Sequence, residues 1–355
     1  MRRICLVLLI SALFIVSGCA QPPAATPEPA PAPTPVPTPT PTPVPTPTPM
    51  PRVTKDPEIA VDVYQPDRVW AGTTLLPDNH NPQRHRIIEV NMLGEIIWEY
   101  VVPQQGFAEA ELLSNNNILY TVGGKGVYEV DRNGKIVWSY LTNKIDHDAD
   151  RLPNGNTIFV FGMSDQKSDA QVTEVNPKGE IVWSWYAKDY FDRPPYDSIS
   201  NEGWAHTNAV SRLPNGNTLI SPRNFNFVVE VDPKGEVVRT YGEGVFSSQH
   251  DPEMLSNGDI LLANQNRPQR ATEYDPKTGK IVWEYLIPDQ KNWPVRDANR
   301  LPNGDTLITG STEIVEVTPQ KEIVWRLRLQ GVSFSGQEAA GRGFYKADRI
   351  SAGIP

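Results

Sequence analysis

The stretch "HDADRLPNGNTIFV", residues 147–160, sets two short apolar alternations on either side of Asn154-Gly155. Asn and Gly tolerate the positive φ of a tight turn, so the stretch predicts a β-hairpin. It is one of a set: "LPNGNTLIS" (213–221), "LSNGDILLA" (255–263) and "LPNGDTLIT" (301–309) repeat its second half, and "LLSNNNILYT" (112–121) is a degenerate copy. Another element follows each copy and also precedes the first. It is a turn, an apolar run and a Trp: "NMLGEIIWEY" (91–100), "DRNGKIVWSY" (131–140), "NPKGEIVWSW" (176–185), "DPKGEVVRTY" (232–241), "DPKTGKIVWEY" (275–285) and "TPQKEIVWRL" (318–327). Arg239 replaces the Trp in one of the six.

Each unit reads as four short antiparallel strands, and six such units predict an all-β chain folded as a six-bladed β-propeller. The Trp positions and the apolar alternation are its expected core. The strand before each Asn-Gly turn is expected to be the innermost, and its copies begin at Phe107, His147, His206, His250 and Arg296. Blade 1 has no such strand ahead of it in the sequence. The segment "YKADRI" from Tyr345 is therefore expected to supply one and to close the ring from the C-terminal end.

Composition divides the chain before the repeats begin. Residues 1–19 carry Arg2 and Arg3, an apolar run and the tetrapeptide Val16-Ser17-Gly18-Cys19, the pattern of a secretory signal. The ending resembles a bacterial lipobox, which implies lipidation of Cys19, a membrane anchor and an extracytoplasmic position in a periplasm or on a cell surface. Residues 20–58 form a second segment: half of the residues from Pro22 to Pro51 are proline, which predicts an extended stalk without a core. The propeller is expected over residues 59–355. With Cys5 and Cys19 its only cysteines, the chain has no disulfide to stabilise that domain. A formal charge of −9 argues against nucleic-acid binding, which needs a basic surface.

Nothing in blade packing asks for histidine at the channel end of an inner strand, yet His147, His206 and His250 all stand there. Convergent titratable groups in one concave mouth mark a candidate site. Arg223 follows the strand after the His206 hairpin, where other units have Gly162, Asn264 or Gly310, and its guanidinium could fork onto a tetrahedral oxyanion. Asp148 and Asp251, each next to a histidine, could orient an imidazole or cap a turn.

At these residues the sequence resembles the arylsulfate sulfotransferase family. "GWAHTNAV" around His206 and Asn208, "SPRN" around Arg223, "SQHDPEMLSNGDILLANQ" around His250 and "DHDADRLPNGN" around His147 carry the resemblance. It implies transfer of a sulfuryl group from an aryl sulfate to a phenol, with no nucleotide sulfate donor, cofactor or metal. His250 matches the nucleophile, which would form a sulfohistidine and give ping-pong kinetics. Arg223 and His147 would hold the sulfuryl oxygens. His206 would protonate the leaving phenolate and deprotonate the incoming phenol. Asn208 and Asn264 are the candidate substrate-binding amides. Better-known members add an N-terminal β-sandwich and a disulfide near the site; a proline stalk and no cysteine stand in their places here. Two other readings fit the same residues: three histidines holding a divalent metal, and a non-catalytic propeller displayed as a binding scaffold.

Overall fold

Six antiparallel sheets follow one another along the chain in the computed structural model, which describes residues 53–104, 108–290, 294–332, 334 and 341–351. Cys19, the proline-rich tract and the inner-strand position Phe107 lie outside the described residues. Blade 2 runs from Ala108–Leu112 to Ile136–Leu141, blade 3 from Ala149–Arg151 to Ile181–Trp185, and blade 4 from Thr207–Arg212 to Val237–Tyr241. Blade 5 runs from Gln249–Met254 to Lys280–Leu286, and blade 6 from Val295–Arg300 to Ile323–Leu329. First strands of neighbouring blades pack on one another, which makes them the innermost.

Blade 1 is closed from the other end of the chain, as the repeats require. Asp348–Ser351 is its inner strand and pairs with Gly72–Asp78, followed by Arg86–Val90 and Ile96–Val101. A further closure has no counterpart in the repeat pattern. Ile59–Tyr64 adds a fifth strand to the outer edge of blade 6, and Thr54 just before it bridges Ile96 at the outer edge of blade 1. Both ends of the propeller thus fasten blade 6 to blade 1.

The hairpin turns differ in one detail from the sequence expectation. Only the glycine enters the left-handed region, at φ +86° for Gly155, while the Asn154 side chain accepts the Asn156 N–H at 3.0 Å. In the degenerate copy Asn116 takes the glycine's place at φ +67°, the next best residue for that conformation.

The tryptophans also play another part. Of the repeat set Trp325 alone is fully buried; Trp98, Trp138, Trp183 and Trp283 are half-buried. An outer strand lies at the perimeter, so its inward ring meets the next blade rather than its own. The indole N–H of Trp98 donates to the Arg132 carbonyl in the following blade's turn, and Trp138, Trp283 and Trp325 do the same to Pro177, Pro319 and Met92, each at 3.0 Å.

An inner-strand arginine of the next blade completes the joint. Arg151, Arg212, Arg300 and Arg349 lie over Trp138, Trp183, Trp283 and Trp325, and pair with Glu129, Glu174, Glu273 and Glu316. The apolar clusters likewise span two blades: Leu75 and Ile87 of blade 1 pack with Ile118 and Tyr120 of blade 2. The core therefore lies between blades.

Trp325, at the closing joint, combines full burial with a stacked Arg349 and a bonded indole. Trp325→Ala is expected to cost about 3–5 kcal/mol of unfolding free energy, read from urea melts. The half-buried Trp138→Ala should cost clearly less in the same assay.

Candidate active site

The inner strands begin at one mouth of the ring, and the sequence-predicted residues meet there. His147, His206, Arg223 and His250 line one cavity of about 280 Å3 together with Met163, Glu202, Gln265, Arg296 and Gly341. The His147 ring centroid lies 5.0 Å from that of His206 and 6.1 Å from that of His250. A second chamber of about 750 Å3 shares His147, Met163, Arg296 and Gly341 with the first and adds Ile145, Phe161, Tyr345 and His85.

Each histidine is held by its own local device. Asp146, and not Asp148, orients His147: its Oδ1 lies 2.8 Å from Nδ1. A carboxylate only accepts, so Nδ1 carries the proton. The same carboxylate accepts the backbone N–H groups of His147, Gly162 and Met163. Gly162 occupies the position of Arg223 one blade earlier, and no side chain fits there, because a Cβ would come within 2.3 Å of the Thr207 backbone.

His206 adopts φ +48°, a left-handed conformation that costs energy and must be imposed by its surroundings. Asp165 imposes it by accepting the N–H groups of Trp204, Ala205 and His206. Burial pushes that carboxyl up to about 6. The His206 ring gives its Nδ1 proton to the Glu202 carbonyl at 2.8 Å, which leaves Nε2 unprotonated. Burial, and then the facing His147 and Arg223, lower its pKa to about 2.

His250 is 4% exposed. Gln249 beside it is locked into blade 4, with Nε2 donating to the Phe227 carbonyl at 2.8 Å. Burial first, then Arg223, His147, Arg296 and His206, push the His250 pKa well below the ordinary histidine value. Both imidazoles are therefore neutral at pH 7.

Arg223 opens a single helical turn, Arg223–Phe225, after its strand, and its N–H bonds the His206 carbonyl at 3.2 Å. Its Nε has no hydrogen-bond partner among the described residues. Burial pulls its pKa below the usual guanidinium value without discharging it.

Asn208 and Asn264 do not line either chamber. Asn208 Nδ2 donates to the Gln249 carbonyl at 2.9 Å, and Asn264 Oδ1 accepts the Ser247 N–H at 2.8 Å. Both brace the strand that carries His250. Asp148 and Asp251 turn away from the histidines and reach Lys346 Nζ, at 3.0 and 2.9 Å.

Sequence reasoning missed Asp146 and Arg296 as members of the site. The "DHD" at 146–148 offered an aspartate on each side of His147, and Arg296 stood in the same repeat register as the histidines. Among the described residues, no group of three or more His, Cys, Asp or Glu side chains is arranged to hold a metal ion.

No curated protein matches the sequence. Among solved structures, a protein of unknown function from Bacteroides caccae is 19% identical, with TM-score 0.56, over 75% of this chain and 98% of that one. Virginiamycin B lyase from Staphylococcus aureus, in a catalytically inactive form with quinupristin, is 12% identical, with TM-score 0.49, over 78% and 89%. The first likeness concerns the fold alone. Residues 65–250 match the family described as arylsulfotransferase (ASST), a span that begins ahead of blade 1 and ends on His250. The chain belongs to the arylsulfotransferase family.

Proposed function

We propose that the protein is an aryl sulfotransferase that carries a sulfuryl group from an aryl sulfate to a phenol through a sulfohistidine at His250. Family membership points to sulfuryl transfer. The observation that carries the finer reading is the neutral His250 imidazole facing two guanidiniums in one cavity. A neutral imidazole is a nucleophile, and the cations draw a sulfate ester to it. As the N–S bond forms, the S–O bond breaks and its electron pair leaves on the phenolate oxygen. An acceptor phenolate then attacks the same sulfur, and the pair returns to the His250 nitrogen.

Arg223 holds the sulfuryl oxygens, where charge spreads in a loose transition state; His147, whose Nδ1 proton is on Asp146, joins it only through a second proton at Nε2. His206 offers a phenol hydroxyl a hydrogen-bond acceptor at Nε2. With its pKa near 2 it has no proton to give at neutral pH, which narrows the two-way proton shuttle expected of it. The apolar side of the larger chamber, Ile145, Phe161 and Met163, suits an aryl ring. We propose further that lipidated Cys19 holds the chain at the outer side of a membrane, within a periplasm or on a cell surface.

Purified full-length chain mixed with p-nitrophenyl sulfate should release nitrophenol faster when a phenol is added, and parallel double-reciprocal lines should mark the ping-pong order. His250→Asn should lower turnover roughly 10,000-fold, and intact-mass analysis after donor alone should find one sulfuryl adduct on the wild type and none on the variant. Release that is equal in wild type and His250→Asn would sink the reading.

A second measurement tests the charge state. An unfolded histidine takes its proton near about pH 6.5, whereas His206 does so at about 2. Below about pH 6.5 the unfolded chain therefore binds more protons, so stability is present above that pH and is lost as the pH falls. The His206 ring resonance, assigned with His206→Asn, should not titrate between about pH 8 and 5. Cys19→Ser should move the protein from the membrane fraction to the soluble fraction.

A further inference from the structure

Among the described residues, the two chambers share His147, Met163, Arg296 and Gly341. The smaller one holds Arg223, His206 and His250, so under the proposed function the sulfuryl group sits there. The larger one has the apolar walls, so the aryl ring sits there. The ester oxygen joining sulfur to ring must then lie at the junction, and that atom takes up negative charge as the S–O bond breaks.

Arg296 is the guanidinium at this junction. It stands on the inner strand of blade 6, is 4% exposed, and packs its guanidinium carbon 5.1 Å from the centroid of the Tyr345 ring. A planar cation stacked on an aromatic face is fixed in orientation and presents its N–H groups edge-on. Met163 adds no charge at the junction, and the His147 Nδ1 proton is committed to Asp146.

We propose that Arg296 is a further catalytic residue, donating hydrogen bonds to the phenolate oxygen as it leaves in the first half-reaction and enters in the second. No proton moves in either chemical step: the electron pair of the S–O bond stays on an oxygen that Arg296 stabilises, and phenols exchange their protons with solvent outside the step. This rests on the sulfotransferase reading and deepens it, because it names the substrate class. Acceptors are phenols acidic enough to exist as phenolates beside a guanidinium, donors are the sulfate esters of such phenols, and alkyl sulfates are poor donors because an alkoxide is too basic a leaving group.

The test uses the full-length chain and a series of aryl sulfates whose leaving phenols grow less acidic, from p-nitrophenyl to phenyl sulfate. Arg296→Gln should lose roughly 10-fold in kcat/KM on the most acidic leaving group and roughly 100-fold or more on the least, so that dependence on leaving-group acidity steepens. Arg296→Lys should recover part of the loss. Parallel dependences for wild type and Arg296→Gln would overturn the proposal, since a residue that merely binds the sulfuryl oxygens costs every donor alike.

A measurement on the wild type guards against a variant that fails to fold. Donor-side kcat/KM should stay level as the pH rises between about pH 6 and 9, and a decline over that range would report a proton donor and overturn the proposal. A wild type that releases no phenol from any aryl sulfate would overturn the sulfotransferase reading itself; an active wild type with an inactive His250→Asn and parallel dependences would overturn only the role of Arg296.

Discussion

One ammonium group ties the ring together on its axis. Lys346 enters with the segment that closes blade 1, and its Nζ pairs with Glu109 of blade 2, Asp148 ahead of the blade 3 inner strand, and Asp251 of blade 5. A buried charge that lost these partners would be strongly destabilising, so the blades are held in the one arrangement that satisfies the lysine. Carboxyls outnumber it: Glu111, Asp150, Glu253 and Asp348 line the same cavity. Burial answers the excess by raising acid pKa values, to about 7 at Glu111 and about 6 at Asp348, and well above the ordinary value at Glu109, Asp150 and Asp297. Part of this tier therefore keeps its protons.

The same segment couples the acidic tier to the site. Tyr345 precedes Lys346 and faces the chambers; His147, His250 and Arg296 precede Asp148, Asp251 and Asp297 in the same way. In extended chain, successive side chains point to opposite sides. At these four entries one residue goes to the chambers and the next to the tier around Lys346, although at Asp251 the chain is left-handed (φ +48°) rather than extended; blade 4 enters with His206-Thr207 and sends no carboxylate. A one-residue slip at His147-Asp148 or His250-Asp251 would exchange the tiers there, placing a carboxylate among the imidazoles and guanidiniums and a histidine against Lys346. The lysine thus holds register as well as closure.

This division explains what the sequence made legible. The Leu, Asn-Gly and apolar runs recur because every blade needs the same hairpins, and the histidines stood out because no blade needs them. Arg223 was visible for the same reason. Asp146 was not, because two aspartates flank His147 and strand alternation alone does not say which one folds back onto the ring; the turn before the strand decides it. Arg296 occupied the histidine register, yet only the shared wall of two chambers shows that it stands at their junction. The fifth strand of blade 6 follows no repeat, and the inter-blade role of the tryptophans depends on neighbours about forty residues away, as between Trp98 and Arg132.

The charge state of the site was the least legible, because it is a property of the assembled cavity. Protonating His250 would add a cation beside Arg223 and Arg296, and both burial and those two charges oppose it. Under the proposed function the guanidiniums do two things at once: they draw a sulfate ester to the smaller chamber, and they keep the His250 nitrogen unprotonated. A fourth histidine, in place of Arg296, would serve neither end as well, since an imidazole buried there would shed its charge as His206 does. Lys346 keeps its charge through carboxylate partners, whereas arginine is the cation that burial does not discharge even without them, which suits a cavity that stays positive around a neutral imidazole.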